Sequence, residues 1–303
     1  MIFQNKTVSI NRPLEKARKS NHQVHGFAAT IMPVIIWMTA FFVIPVLFIV
    51  FISFCLRGET GELIYTVSLS NYKALFNTLY GRIFISSLAV ALFTTILCLA
   101  FGYPFAYIIA KANKKYKPLL LLLIMLPFWT NSLVRTYAMI ILLRTEGIIN
   151  SYLMQLHIIS RPLELLYNNT GVMIGMIYMM FPFMVLPLYA SIEKLDKRLI
   201  EAAGDLGASP FKAFLKITLP LTKSGIISGA MLVFVPTLGL FFVTDLMGGS
   251  KVVLMSNLIK NQFLTARNWP LGSAISTILI IIMAALIFFY TKKGGTKEKV
   301  GVL

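Results

Sequence analysis

The sequence predicts an all-α membrane protein, a bundle of six transmembrane helices with both termini in the cytoplasm. Apolar residues make up 57% of the 303 residues and charged residues 13%, whereas ordinary globular domains average about 45–50% and about 25%. Six apolar stretches are long enough to cross a bilayer, and the basic residues between them concentrate in alternate loops. The stretches are continuous rather than alternating in polarity, which favours helices over a β-barrel.

The six predicted spans follow from the length that a bilayer requires. A helix needs roughly 20 apolar residues to cross about 30 Å of hydrocarbon. Five of the stretches carry no charged residue, and the third is interrupted only by Arg135. They form a predicted membrane domain over residues 27–291, between an N-terminal tail (1–26) and a C-terminal tail (292–303). The predicted spans are residues 27–56, 83–110, 118–143, 165–192, 224–244 and 268–291.

The distribution of basic residues predicts the orientation. Nineteen lysines and arginines fall in the N-terminal tail, the loops after the second and fourth spans, and the C-terminal tail, whereas the other three loops hold eight. Because loops rich in Lys and Arg stay on the cytoplasmic side, both tails and those two loops are predicted to be cytoplasmic. Topology then explains most of the net charge of +17. The expected surroundings are membrane lipid, and no nucleic-acid partner is expected.

The first span is predicted to stay in the protein as a membrane helix. A basic tail precedes it, as in a signal peptide, but its 30-residue apolar run is about twice the length of a signal-peptide core. Cys55 and Cys98 both lie in apolar stretches. Small buried side chains are therefore expected at both positions, rather than a disulfide.

The loop after the fourth span, residues 193–223, carries helix boundary signals that a passive linker does not need. Asp196 is a predicted N-cap for a helix through Leu206, and Gly207 supplies the left-handed residue that ends such a helix. Ser209 followed by Pro210 is a second helix start. The sequence therefore predicts two short amphipathic helices joined by a tight turn below the membrane.

Two surfaces could receive this helical hairpin. Its lysines would suit a position in the lipid headgroups. Four acids, however, lie in the same segment, and anionic lipid would repel them: Glu193, Asp196, Glu201 and Asp205. A protein partner is the preferred interpretation, because an amphipathic helix can dock its apolar face in a groove of that partner.

The run EAAGDLGASPFKAFLKITLP, residues 201–220, resembles the cytoplasmic EAA loop of ABC-importer permeases. That loop has Glu-Ala-Ala, a glycine six residues after the glutamate, and then Ile, Leu and Pro. The resemblance implies that the hairpin docks in a cleft of an ATP-hydrolysing subunit, with small alanines allowing close approach. With two neighbouring residues included, the predicted ATPase-coupling residues are Leu199, Glu201, Ala202, Ala203, Asp205, Gly207, Ile217, Leu219 and Pro220.

Further motifs extend the resemblance from the second span to the last. The stretches GYPFAYIIAK (102–111), LPFWTNSLVRTYA (126–138), FPFMVLPLYASIEKLDK (181–197) and NQFLTARNWPLGSA (261–274) are similar to permeases of bacterial spermidine/putrescine importers. The resemblance implies a MetI-like permease of the type I ABC-importer class in the bacterial inner membrane. It also implies three partners: a second, homologous permease, a dimer of ABC ATPase subunits, and an extracytoplasmic polyamine-binding protein.

The energy source is predicted to lie in another polypeptide. The sequence contains no G-x-x-x-x-G-K-[ST] motif, so it has no phosphate-binding loop of this type. His22 and His25 are a pair in the N-terminal tail, and an exposed pair is insufficient for a metal site. The chain is therefore predicted to be a transport subunit and not an enzyme, with no cofactor or metal.

Two other classes of function remain alternatives. A secondary carrier or channel driven by ions commonly keeps acids inside its spans, and this sequence has one candidate, Asp245, near the end of the fifth span. A membrane scaffold or receptor subunit could bind an ATPase without conducting a solute. Within the ABC-importer class, another small solute is the alternative to a polyamine.

Trp129, Tyr178 and Asp245 are the candidate residues of a cation pathway. Aromatic faces and carboxylates hold alkyl cations, and the attraction strengthens where water is excluded. Ordinary packing or interface anchoring is the alternative for each aromatic residue. Asp245 has three possible roles: a charge at the end of a helix, a binding site for a cationic substrate near the outer interface, or a partner of Arg135.

Overall fold

The computed structural model describes residues 31–59 and 61–294. The predicted N-terminal tail, including His22 and His25, the beginning of the first span at residues 27–30, and the C-terminal residues from 295 lie outside the described residues.

The described chain is helical, apart from turns, loops and one two-stranded antiparallel hairpin, β1 (Leu56–Arg57) with β2 (Leu63–Ile64). The helices are α1 (Ile31–Ser53), α2 (Ser70–Leu75), α3 (Thr78–Lys111), α4 (Lys117–Met125), α5 (Ser132–Leu143), α6 (Ile148–Gln155), α7 (Asn169–Glu193), α8 (Lys197–Asp205), α9 (Pro210–Leu221), α10 (Lys223–Gly239), α11 (Phe241–Val243), α12 (Met255–Leu264) and α13 (Trp269–Gly294). Turns of 3₁₀ or π helix occur at Thr39–Val43, Leu126–Trp129, Phe214–Thr218, Thr244–Gly248 and Gly249–Lys251.

Six spans are present when two bent helix pairs are each counted as one span. In the described chain, α1, α3, α7 and α13 are each long and apolar enough to cross a membrane. Lys117–Trp129 with Ser132–Gln155 forms one further pair, bent by 97°, and Pro210–Leu221 with Lys223–Gly239 forms another, bent by 64°. The described chain therefore has four elements that can cross a membrane, or the predicted six if each bent pair is one span.

The prediction of one continuous helix over residues 118–143 is wrong. The helix breaks between Trp129 and Ser132, where Pro127 lies in a 3₁₀ turn and Asn131 caps the next helix by accepting the N–H of Leu133 at 2.8 Å. Proline has no N–H to donate to the helix ladder, and the new cap stabilises a second helix start. The third span is thus two helices that meet at an angle.

The fifth predicted span, residues 224–244, is also interrupted. Helix α10 ends at Gly239, and Leu240 leaves the helical conformation (φ −78°, ψ 71°) before a short helix and a π turn that extends to Gly248. Pro236 lies in the last turn of α10. The predicted span therefore consists of a helix of 17 residues followed by a separate helical turn.

Helices α3, α7 and α10 form the centre of the bundle. Val172, Met176, Met184 and Val233 are fully buried there. A Cβ at Gly229 on α10 would lie 2.8 Å from Sδ of Met184, so the two helices pack closely because this residue has no side chain. Lipid supplies no hydrophobic drive between helices, and small residues that allow such packing are typical of membrane bundles.

The outward surface of α1 is apolar and exposed in the isolated chain. Few residues of this helix are buried, and Trp37 and Phe41 are 64% and 66% exposed. Such a surface suits hydrocarbon surroundings and not water. Cys55 and Cys98 are both free and buried, which confirms the expectation that they are small core side chains.

The structure places the two loops predicted to be cytoplasmic at the same end of the bundle. Nζ of Lys117, at the start of α4, donates to both carboxylate oxygens of Glu193, at the end of α7, at 2.7 Å. Lys111, at the end of α3, lies 4.5 Å from the ring centroid of Tyr107. The Lys117–Glu193 ion pair therefore joins the loop after α3 to the loop after α7, in agreement with the predicted topology.

Candidate functional site

The predicted coupling loop forms two short helices, α8 and α9, joined by a tight turn. Oδ1 of Asp196 accepts the N–H of Arg198 at 3.0 Å, and Oγ of Ser209 accepts the N–H of Lys212 at 3.4 Å. Gly207 has φ +79°, a conformation that glycine adopts without the steric cost of a Cβ. Both predicted N-caps and the predicted left-handed glycine are therefore confirmed.

The hairpin exposes large apolar side chains. Leu206 is 89% exposed, Phe211 70% and Leu199 47%. Ala202 is exposed, whereas Ala203 is buried, so the two alanines face different surroundings. We call Leu199, Leu206 and Phe211 the docking surface. It extends below the bundle from the end that carries Lys117 and Glu193.

The other predicted coupling residues divide into exposed acids and a half-buried connection. Glu201 and Asp205 are exposed and form no ion pair within the described residues. Ile217 and Leu219 are partly buried, and Leu219 packs against the central core, whereas Pro220 is exposed. The carboxylates are thus available to a partner, and the residues that follow anchor the hairpin to the bundle.

A contact that the sequence did not reveal joins the hairpin to the centre of the bundle. The ring of Phe214, in the π turn within α9, meets Tyr103 of α3 edge to face at a centroid distance of 5.5 Å. The hydroxyl of Tyr103 shares a hydrogen bond of 2.8 Å with Oγ1 of Thr222, at the bend between α9 and α10. A displacement of the hairpin would therefore act on both α3 and α10.

The aromatic residues predicted for a cation pathway lie on separate elements. Trp129 is 76% exposed at the break between α4 and α5, and Tyr178 is 37% exposed on α7. Within the described part of the chain, neither ring stacks on another ring or on a cation. The break does pack against α7, but through Phe128 and Phe183, whose centroids are 5.1 Å apart.

Asp245 forms an ion pair that sequence reasoning missed. Its Oδ2 lies 2.5 Å from Nζ of Lys260, and the two side chains are 23% and 30% exposed. The suggested pair with Arg135 is not formed: that guanidinium lies 5.1 Å from the ring centroid of Phe128. Hydropathy assigned Lys260 to a loop, and no periodic signal indicates that α12 brings it back against the turn after α10.

Asp245 lies towards the end of the bundle opposite the docking surface. The N–H of Tyr167, just before α7 begins, donates to the carbonyl of Met247 at 2.8 Å, whereas the other end of α7 holds Glu193. The π turn of Asp245 is thereby fixed at the predicted outer end. A polar cavity of about 640 Å³ opens at this end, lined by Ile141, Arg144, Thr145, Glu146, Glu164, Leu166, Tyr167 and Lys251.

A helix bundle long enough to cross the membrane, a helical hairpin with an exposed apolar tip at one end, and a polar cavity at the other define an integral membrane transport component. Comparison with known families gives the particular family. Residues 102–291 match the family described as binding-protein-dependent transport system inner membrane component. The chain belongs to that family, and its place is the bacterial inner membrane.

Curated relatives match over nearly the whole chain. The chain is 47% identical over 261 residues to the spermidine/putrescine transport system permease protein PotB of Haemophilus influenzae, covering 86% of this chain and 91% of that protein. Its identity to PotB of Escherichia coli is 46% over 269 residues, or 89% and 98% of the two chains. The chain is therefore a transport permease and not an enzyme.

A solved structure shares the fold at low sequence identity. A chain in the crystal structure of a bacterial alginate ABC transporter, in complex with an alginate pentasaccharide-bound periplasmic protein, superposes with a TM-score of 0.74. The superposition covers 91% of this chain and 96% of that one, at 16% identity. This likeness shows the fold of the chain and carries no information about the substrate.

Proposed function

We propose that this chain is the membrane permease of an ATP-driven importer that moves polyamines of the spermidine and putrescine type into the cytoplasm. The observation that carries the proposal is the identity of 46–47% with PotB permeases over 86–89% of the chain. The alternative function, to be distinguished by experiment, is import of another small solute by a permease of the same class.

The partners follow from the incomplete surfaces of the chain. A dimer of ABC ATPase subunits would bind the docking surface, where Leu206 and Phe211 are 89% and 70% exposed. A second, homologous permease would complete the translocation path, since a single bundle encloses only part of one. A polyamine-binding protein would deliver substrate to the end of the bundle that carries the polar cavity.

The mechanism that we infer transmits ATP-driven closure of the ATPase dimer through the hairpin. The apolar tip would move with the ATPase, and Phe214 would transfer that movement to Tyr103 on α3 and, through Thr222, to the bend before α10. The residues proposed for coupling remain those of the EAA loop. The bent third and fifth spans are discontinuous elements of the kind that line paths in transporters.

At the other end, the pathway that we propose for the cation includes Trp129, Tyr178 and Asp245. The first two offer exposed ring faces, on which alkylammonium groups bind by cation–π attraction. The third offers the carboxylate. Neutralising it as Asp245→Asn is expected to slow spermidine uptake while the complex still assembles, and unchanged uptake kinetics would exclude Asp245 from the path.

Reconstituted uptake tests the proposed function. The complete complex in proteoliposomes, loaded with ATP and given the binding protein outside, is expected to accumulate labelled spermidine, and liposomes that lack this chain are expected not to. Uptake that needs neither ATP nor the ATPase would indicate a secondary carrier. A complex that hydrolyses ATP but moves no polyamine would contradict the proposed substrate.

A further inference from the structure

The ion pair at the outer end of the bundle joins two elements that are separate in the chain. Asp245 lies in the π turn Thr244–Gly248, and Lys260 lies on α12. Nζ of the lysine is 2.5 Å from Oδ2 of the aspartate. Both side chains keep part of their surface exposed, 30% and 23% respectively, so solvent and solutes can reach the pair.

The lysine has the chemistry of the proposed substrate. Its side chain is a primary ammonium on a flexible stem of four carbons. Putrescine is a four-carbon chain with an ammonium at each end, and spermidine contains the same aminobutyl unit. The carboxylate of Asp245 already binds the alkylammonium group of Lys260 at contact distance. It therefore has the charge and the accessibility needed to bind one ammonium end of a polyamine.

The surroundings of the pair contain further polar groups that are unsatisfied. Thr244, beside Asp245, is fully buried, and Ser256, one helical turn before Lys260, is 6% exposed. Neither hydroxyl oxygen has a hydrogen-bond partner among the described residues. Residues four apart lie on one face of a helix, so a buried hydroxyl and the ammonium share the same face of α12. A buried hydroxyl without a partner costs free energy, and one such hydroxyl lies close in the chain to each member of the ion pair.

From this geometry we propose that Asp245 is the carboxylate that receives one ammonium of the substrate, and that Lys260 is a tethered competitor which occupies it until substrate arrives. The proposal rests on the proposed polyamine function. In the empty protein the internal ammonium neutralises the carboxylate, so small cations are not held there. A polyamine displaces the lysine, and its second ammonium remains free to be passed further along the path.

The competition has a measurable consequence for apparent affinity. A ligand that binds only the fraction of protein with an open site has its apparent dissociation constant raised by the inverse of that fraction. For a partly exposed ion pair of ordinary strength, the open fraction is about one fifth. Removing the lysine ammonium is therefore expected to lower the apparent KM for substrate about fivefold.

The test uses Lys260→Met, which keeps most of the side-chain length and removes the charge, in the complete complex in proteoliposomes. The readouts are the spermidine dependence of uptake and of ATP hydrolysis. The variant is expected to lower KM about fivefold, with a maximal rate that does not rise in proportion. The matched control is Lys73→Met, an exposed lysine on α2 that forms no ion pair within the described residues, and its KM is expected to stay at the wild-type value.

Two further variants keep the outcome decisive. Lys260→Arg retains the positive charge and is expected not to lower KM. The double variant Asp245→Asn with Lys260→Met is expected to lose the decrease in KM that Lys260→Met alone produces. If Lys260→Met assembles poorly, Lys260→Gln replaces it. A KM that is unchanged or raised in an assembled, charge-neutral variant would overturn the competition while leaving polyamine import intact. Absence of polyamine uptake by the wild-type complex would instead overturn the proposed function, and this inference with it.

Discussion

At the scale of single residues, the sequence predicts the local backbone of the hairpin better than it predicts the partners of charged side chains elsewhere in the bundle. The sequence predicted the caps Asp196 and Ser209 and the left-handed Gly207. Each of these roles depends on the residue's own backbone conformation or on a hydrogen bond to a residue at most three positions away. The partner of Asp245 was not predictable. Lys260 is 15 residues away along the chain, and the interrupted fifth span decides that the two side chains meet.

Replacement of Gly207 tests the turn of the hairpin. Gly207→Ala is expected to lower the free energy of unfolding by about 1–2 kcal/mol, because φ at this position is +79°. No neighbouring atom lies within 4 Å of the added Cβ. The cost is thus conformational and not a clash. Amide hydrogen exchange across α8 and α9 should become faster.

The matched control for this prediction is Gly204→Ala in the same hairpin. Gly204 also has no atom within 4 Å of an added Cβ, but it lies inside α8 with an ordinary backbone conformation. Alanine is favoured over glycine inside a helix by roughly 0.5–1 kcal/mol, so exchange should stay the same or become slower. Equal effects of the two substitutions would contradict the assigned role of Gly207.

At the scale of elements, the exposed tip of the hairpin is the feature that needs a partner. Leu206→Glu is expected to reduce copurification of the ATPase at least about tenfold, because a charge buried in an apolar contact removes more than 1.4 kcal/mol of binding free energy. The fold itself should be unaffected, since Leu206 is 89% exposed.

The control for the docking surface is Phe76→Glu, a side chain that is 91% exposed just after α2, away from the hairpin. It is expected to leave the yield of bound ATPase unchanged. Retention of the ATPase by Leu206→Glu would show that the docking surface lies elsewhere on the hairpin.

The contact between α9 and α3 predicts a separation of binding from coupling. Phe214→Ala removes the edge-to-face contact with Tyr103, a contact of about 0.5–1.5 kcal/mol, and leaves the exposed tip intact. The ATPase should still copurify, whereas polyamine uptake per ATP hydrolysed should fall about threefold or more. Normal coupling in an assembled Phe214→Ala complex would exclude this route. The partner of Phe214 could not be predicted from the sequence, because the contact spans 111 positions of the chain.

At the scale of the whole molecule, hydropathy predicted the number of spans but not their shape. Apolar length reports that a segment fits a bilayer, and it is insensitive to a change of direction inside the segment. A hydropathy profile therefore contains neither the 97° bend at the break before Ser132 nor the interruption of the fifth span after Gly239, although Pro127 and Pro236 lie beside these two positions. Trp129 lies at the first of these breaks and Asp245 in the helical turn after the second, so the proposed path depends on features that a hydropathy profile does not contain.

The central claim is that the hairpin below the bundle is held by an ATPase, and site-specific crosslinking tests it most directly. In a background without Cys55 and Cys98, both buried and free, Leu206→Cys should crosslink to the ATPase subunit in the assembled complex. It should also resist a membrane-impermeant thiol reagent added outside intact cells. Labelling from the outside, or a crosslink to lipid alone with the ATPase present, would contradict the account.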